Sequence, residues 1–287
     1  MTHAMPAAAA PPASSAESPP ALGARGVGLS FAGLRALDGL QFEVPAGGTS
    51  AVIGPNGAGK TTLFNCISGL YRHEGELLLH GRPLGRLRPH QRARLGVART
   101  FQTPALLDGE SALQNVALGA VAHSRVGVLD SMLMTPRRRR EEQATLEQAF
   151  ELLRRAGIDQ LADRPVAGLP HGDRRRVEVS RALMSAPTLL MLDEPAAGLG
   201  AEEARDLLRE VEEVAGPGTT VLLVEHDVAL VMSVARRVVV LDSGRLLAVG
   251  TPDEVRADPR VVEAYLGAED VDEPAPERLH AVSEEAS

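Results

Sequence analysis

The segment Ala51-Val-Ile-Gly54-Pro55-Asn56-Gly57-Ala58-Gly59-Lys60-Thr61-Thr62 constrains this chain more than any other. An apolar, β-branched run enters a glycine-rich turn, and the turn opens into a stretch with helical periodicity. The residues fit G-x-x-x-x-G-K-[ST], with Gly54, Gly59, Lys60 and Thr61 at the defining positions. Glycines let successive backbone N–H groups curl around a phosphate, and the helix N-terminus adds the positive end of its dipole. Lys60 supplies a mobile point charge, and the Thr61 hydroxyl can ligate Mg²⁺. Of the 30 lysines and arginines only Lys60 is a lysine. The planar arginine fork is too bulky for the throat of such a loop, which accounts for the exception. A glycine-rich turn without function is the bland alternative, and the strand–loop–helix context argues against it.

Around this segment, short apolar runs alternate with helix-period stretches. Strands are expected at Thr49–Gly54, Leu189–Asp193, Thr220–Glu225 and Val238–Asp242, and helices at Lys60–Leu70, Ala201–Val214 and Val228–Val234. Such alternation indicates an α/β fold with a parallel sheet covered by helices. Residues 111–186 read differently. They carry helical periodicity at Ser111–Ala122, Arg137–Ala156 and Arg174–Ala186 with few strand signals, so a helical subdomain inserted into the α/β body is expected. Residues 1–24, rich in Ala, Pro and Ser, read as a disordered extension, and residues 268–287 as an acidic disordered tail. The domain proper then runs from 25 to 267.

Charge and cysteine content exclude several classes. The net charge of −8 is concentrated in the C-terminal tail, where seven acids face Arg278, and the body is close to neutral, about −1. A nucleic-acid binder would need a basic field to displace phosphate counterions. The single cysteine, Cys66, rules out an intramolecular disulfide and a Cys-rich zinc site, and gives no reason to look beyond a reducing compartment. Acidic and basic residues interrupt the apolar stretch from Thr219 to Leu241, so it does not read as a membrane span.

Two further pieces complete a nucleotide-hydrolysing constellation. Thr188-Leu-Leu-Met-Leu-Asp193-Glu194 is a buried-type strand ending in adjacent acids. Asp193 can hold the metal shell, and Glu194, on the opposite side of the strand, can polarise an attacking water. A solvated acidic turn is the alternative. The next strand ends in His226, which can contact a γ-phosphate, whereas a lone histidine at a strand end is otherwise structural. Lys60 and Asp193 are expected side by side on one metal-bound triphosphate.

With these pieces placed, residues 25–267 resemble the ATP-binding subunit of ABC transporters. The resemblance implies a P-loop NTPase (RecA-like) core with an antiparallel β subdomain and the inserted α-helical subdomain. It also implies ATP and Mg²⁺ as ligands. Phe31 then sits where the family stacks an aromatic on adenine, with a core phenylalanine as the alternative. Gln102, in Ala98-Arg-Thr-Phe-Gln102, matches the glutamine that senses the metal, so Thr61, Gln102 and Asp193 are the implied metal residues. Glu194, His226 and Gln102 are the implied catalytic ones, and Pro55, Asn56, Gly57, Ala58 and Thr62 line the phosphates with the defining loop residues. The signature reads Leu169-Pro170-His171-Gly172-Asp173, where the usual pattern is L-S-G-G-Q, leaving Gly172 and the following helix terminus as the anion site. Arg174, Arg175 and Arg176, read as a first helical turn, suit either a bound triphosphate or a solvated edge. A glycine, Gly200, stands where the next loop usually has aspartate.

Ala98–Gln102, Leu169–Glu178, Leu192–Gly198 and Asp258–Gly267 together look like high-affinity branched-chain amino acid importers, with urea or short-chain amide importers as near neighbours. The resemblance implies a peripheral subunit at the cytoplasmic face of the plasma membrane. Its partners would be permease subunits, a second ATP-binding subunit, identical or different, and indirectly a solute-binding protein. A weakly catalytic, ATP-gated binding module is the alternative that the altered signature keeps open. A DNA-repair or translation ATPase is disfavoured by the lack of a tandem cassette or coiled-coil insertion. A small P-loop kinase would not need Gln102, the signature and His226 in this order.

Overall fold

The structure is a computed structural model, and it describes residues 19–100, 106–123 and 136–269. The first part comprises β1 (Leu22–Phe31), β2 (Leu34–Val44), β3 (Gly48–Ile53), α1 (Lys60–Ser68), β4 (Glu74–Leu79), β5 (Arg82–Pro83), α2 (Pro89–Arg94) and β6 (Val97–Arg99). A helical part follows, with α3 (Ala112–Ala117), a 3₁₀ turn at Leu118–His123, α4 (Pro136–Arg155) and α5 (His171–Leu183). The chain then returns through β7 (Leu189–Asp193), α6 (Ala201–Ala215), β8 (Thr220–Val224), α7 (Val228–Val234), β9 (Arg237–Asp242), β10 (Arg245–Gly250), α8 (Pro252–Ala257) and α9 (Pro259–Glu269).

The apolar runs lie side by side in a six-stranded sheet of order β10-β9-β3-β8-β7-β6, parallel except for the edge strand β10. Their side chains alternate between two cores. Val52, Leu189, Met191, Leu222, Val224, Val239 and Leu241 face α1 and the second sheet. Ala51, Ile53, Leu190, Leu192, Val221, Leu223, Val238 and Val240 face α6 and α7. Period-two alternation is therefore present but invisible as polarity, because both faces are covered. The second sheet, β2-β1-β4-β5, is antiparallel. The expected α/β architecture and its antiparallel subdomain are both present.

Three expectations shift. The extension expected over residues 1–24 ends sooner, since Leu22–Ala24 already belong to β1, paired with Val44–Phe42 and Leu79–Leu77. Ala21, Leu22 and Ala24 are buried by those partners, a gain that local composition does not reveal. The helix expected at Ser111–Ala122 ends at Ala117 and continues as the 3₁₀ turn. There Gly119 packs directly on α5, where a Cβ would run into the Arg181 carbonyl. Helix α5 begins at His171, three residues before the expected Arg174, so the three arginines lie beyond its first turn. The helical segments share a core of Leu106, Ala112, Val116, Ala149, Leu153, Ile158, Val166 and Val177. Among the described residues no helix is long and apolar enough to cross a membrane.

Helix α1 is held at its carboxyl end by Arg92 of α2, which is 3% exposed. The guanidinium donates to the carbonyls of Cys66 (2.5 Å) and Ile67 (2.8 Å), and to those of Leu87 and Gly85 (both 3.0 Å). It satisfies terminal carbonyls and complements the negative end of the dipole. Replacing it with an apolar chain orphans buried acceptors. Arg92→Met is therefore expected to lower unfolding free energy by about 3 kcal/mol, read as a fall in the urea midpoint at unchanged slope; an unchanged midpoint would contradict this account of α1.

Candidate functional site

Strand β3 delivers the chain at Ile53 into the loop 54–59, and α1 begins at Lys60. Gly54 (φ 153°) lies against β9, where a Cβ would run into the Leu241 carbonyl. A Cβ on Gly59 (φ 99°) would come within 2.9 Å of both the Ala36 carbonyl oxygen and Leu37 Cδ2. Close approach and positive φ both demand glycine. Ala58 is buried and anchors the loop at both ends, its N–H donating to the Pro55 carbonyl (3.1 Å) and its carbonyl accepting from Gly244 N–H (3.1 Å).

The loop floors a cleft of about 490 Å³, within the usual range for a small-molecule site. Asn56, Gly57, Ala58, Gly59, Lys60, Thr61 and Thr62 line it, facing Leu34, Arg35 and Ala36 at the start of β2, Glu194, and Ser243 and Gly244 after β9. The N–H groups of the first turn of α1 have no acceptor within the helix, so this floor offers donors and positive dipole to an anion. Lys60 is 9% exposed, and its Nζ donates to the Gly54 (2.6 Å) and Pro55 (3.0 Å) carbonyls. Burial pulls its pKa down and the nearby Glu194 carboxylate pulls it up. Among the residues lining the cleft, Glu194 is the acid.

Register explains which acids arrive. Val52 of β3 pairs with Val224 of β8, and Val224 pairs with Asp193 of β7, so three strands end at one edge. Strand β8 stands between β3, which leads into the loop before Lys60, and β7, which carries Asp193. Asp193 is 5% exposed, which removes the solvated-turn reading. Its Oδ2 accepts from Arg99 at 2.7 Å, and Arg99 also donates to Asn65 Oδ1 (2.7 Å) and Ser68 Oγ (3.2 Å) of α1.

The remaining sequence candidates are distributed around the cleft. Phe31 is 42% exposed, so it is no core phenylalanine; it meets Tyr71 edge-on at 5.2 Å and pairs across the hairpin with the cleft residue Leu34. His226 follows β8 with its side chain 64% exposed, Nδ1 lying 3.9 Å from Glu225 Oε2. It does not line the cleft. Gly172 is buried in the first turn of α5 against Glu203 of α6, apart from the cleft. Gln102 lies outside the described residues. The arginines of α5, read as facing a triphosphate or solvent, have carboxylate partners instead: Arg174 pairs with Asp108 (2.9 Å), Arg175 with Glu178 (2.7 Å) and Arg176 with Glu210 (2.7 Å).

Sequence reasoning missed Leu34, Arg35, Ser243 and Gly244 in the cleft wall, Arg99 beside Asp193, and Glu225. Ala32-Gly33 carries the hairpin signal for the first two, since both residues take the positive φ (45° and 89°) of a tight two-residue turn. Glu225 is 1% exposed and accepts from Ala196 N–H at 2.9 Å. Burial pushes its pKa up, while the Ala196 N–H and His226 pull it down.

Hard oxygen donors, the Thr61 hydroxyl and the Asp193 carboxylate, suit Mg²⁺, which takes few protein ligands and completes its shell with phosphate and water.

Comparison with known proteins points the same way. The family model described as ABC transporter matches residues 37–197, and that of the branched-chain amino acid ATP-binding cassette transporter matches 245–271. The high-affinity branched-chain amino acid transport ATP-binding protein BraF of Pseudomonas aeruginosa is 40% identical over 252 residues, covering 87% of this chain and 99% of that protein. LivG of Escherichia coli, of the same description, is 39% identical over the same coverage. Among solved structures, an ATP-binding cassette of an ABC transporter in its ADP conformation superposes with a TM-score of 0.76 at 31% identity, covering 86% of this chain and 99% of that one. A nucleotide-free cassette gives a TM-score of 0.75 at 31% identity. The chain therefore belongs to the ABC transporter ATP-binding proteins, an ATPase family, and within them it resembles the high-affinity branched-chain amino acid transport type.

Proposed function

We propose that this ATPase powers an importer of branched-chain amino acids, docked on permease subunits at the cytoplasmic face of the membrane and paired there with a second ATP-binding subunit. The observation that carries the catalytic reading is the convergence of Lys60, the first turn of α1 and Glu194 on one cleft of about 490 Å³. Bound triphosphate draws the Lys60 ammonium from the Gly54 and Pro55 carbonyls onto phosphate oxygens, and the loop N–H groups hold the remaining charge. Glu194 accepts a proton from the attacking water, and the family resemblance assigns the γ-phosphate contacts to Gln102 and to His226, which stands outside the cleft lining. Thr61 and Asp193, with Gln102, would hold Mg²⁺, which would supply charge neutralisation at the phosphates. Phe31, beside Leu34, offers an aromatic face to the base. Gly172 and the start of α5 serve the nucleotide of the partner subunit.

The solute assignment rests on the named relatives and on the match at residues 245–271. A second reading, an ATP-gated module with weak turnover, draws on Pro170. It caps α5 without a side-chain hydrogen bond, where the usual serine would present a hydroxyl.

Three measurements test the site, the permease coupling and the solute. Glu194→Gln is expected to bind ATP normally and lose turnover by about 10²–10⁴-fold, the range for a general base, whereas Lys60→Ala loses nucleotide affinity as well. Ordinary hydrolysis by Glu194→Gln would remove Glu194 from its role. Co-purification from membranes should recover a permease that stimulates hydrolysis, and vesicles carrying the complex should accumulate leucine but not urea. Hydrolysis indifferent to the permease would favour the gated module, and urea uptake would reassign the solute.

A further inference from the structure

Glu194 takes a backbone conformation unusual for its type, with φ 47°. A non-glycine residue in the left-handed region relaxes unless its surroundings hold it there. Its N–H donates to the Val224 carbonyl (3.0 Å), continuing the β7–β8 ladder by one residue. Its carbonyl accepts from Ala197 N–H (3.2 Å), closing a turn, and from Arg175 Nη2 (3.2 Å). The following turn is gripped from the other side, where Glu225 Oε1 accepts from Ala196 N–H at 2.9 Å.

Arg175 and Glu225 are each 1% exposed, and Arg175 is among the largest fully buried side chains. Simple packing does not call for buried charge, since apolar residues of similar volume fill a core at less cost. Here two buried ionisable groups on two different elements, α5 and the end of β8, reach the backbone of one short turn. That turn presents the acid facing Lys60.

We propose that Arg175 and Glu225 are positioning residues that clamp the Glu194–Ala196 turn and so aim the Glu194 carboxylate into the cleft. The inference rests on the reading of Glu194 as the base. Arg175 is also paired with Glu178 within α5, so the clamp ties the catalytic acid to the helix that begins at the signature segment. A shift of α5 relative to β7 then changes the aim of Glu194 without touching the phosphate loop.

The test uses the full-length chain and compares steady-state hydrolysis with equilibrium Mg·ATP binding. Glu225→Ala and Arg175→Met are expected to lower kcat about tenfold or more while the Kd for Mg·ATP moves less than about threefold, because aim is lost and the phosphate floor is not. Glu225→Gln, which keeps an acceptor oxygen, should recover most of the loss. In a Glu194→Gln background, adding Glu225→Ala should cost little more, because the group being aimed is already gone. Retained kcat in the folded single variants overturns the clamp, as does an additive loss in the double variant or a parallel loss of Mg·ATP affinity. Wild-type turnover by Glu194→Gln alone overturns the base reading instead, so the two failures are distinct. The two single variants lie on different elements, and if one unfolds the other decides. Unfolding of both, read by circular dichroism, assigns the pair a purely structural role and overturns the proposal.

Discussion

Strands that are apolar on both faces must be covered on both faces, and this architecture follows from that demand. The parallel ladder β9-β3-β8-β7-β6 is buried on one side by α1 and the antiparallel sheet, and on the other by α6 and α7. Parallel pairing makes every strand end at the same edge. Because Val52, Val224 and Asp193 are in register across β3, β8 and β7, the residues that follow them emerge together. They are the glycine-rich loop 54–59, the buried Glu225 and the cleft acid Glu194. The site is a consequence of how the sheet ends, and the helix dipole of α1 adds the field that an anion needs.

Buried charge follows a second regularity. Arg92, Arg99 and Arg175 each sit inside the protein, and each guanidinium spreads its donors over several acceptors. Arg92 reaches four carbonyls, Arg99 reaches a carboxylate, an amide and a hydroxyl, and Arg175 reaches a carboxylate and a carbonyl. A planar fork with five donors can do this; an ammonium on a flexible stem does it less well. Lys60, the one lysine in the chain, donates to the Gly54 and Pro55 carbonyls, and in the function proposed above it moves from them onto a phosphate, a task for a mobile point charge and not for a multidentate fork.

Much of the core was legible from local pattern. Leu189–Asp193 and Val228–Val234 form the elements expected of them, and α1, α6 and β9 differ only at their ends. These segments carry their own signals, a buried run or a helical stripe, and the loop 54–59 carries a glycine and lysine spacing that fits a phosphate-binding turn. The antiparallel sheet was accessible through resemblance alone. Its strands β1 and β2 are long and irregular, with register shifts and exposed positions, so period-two patterning is blurred. Helix α5 starts three residues before the expected Arg174, with Pro170 as its N-cap, where the missing proline N–H removes no helical hydrogen bond.

The amino-acid order by itself determined the phosphate loop, the acids at the end of β7, the two-layer covering of a parallel sheet and the membership of the chain in its family, because each depends on residues adjacent in sequence or at fixed spacing. Only the tertiary structure decided that β8 lies between β3 and β7, that Arg99 holds Asp193, and that Arg175 and Glu225 converge on the turn of Glu194. Those partners are separated by 94, 19 and 29 positions along the chain. Strand order and side-chain pairing at such distances are set by which surfaces can be buried together, and no local pattern encodes that choice.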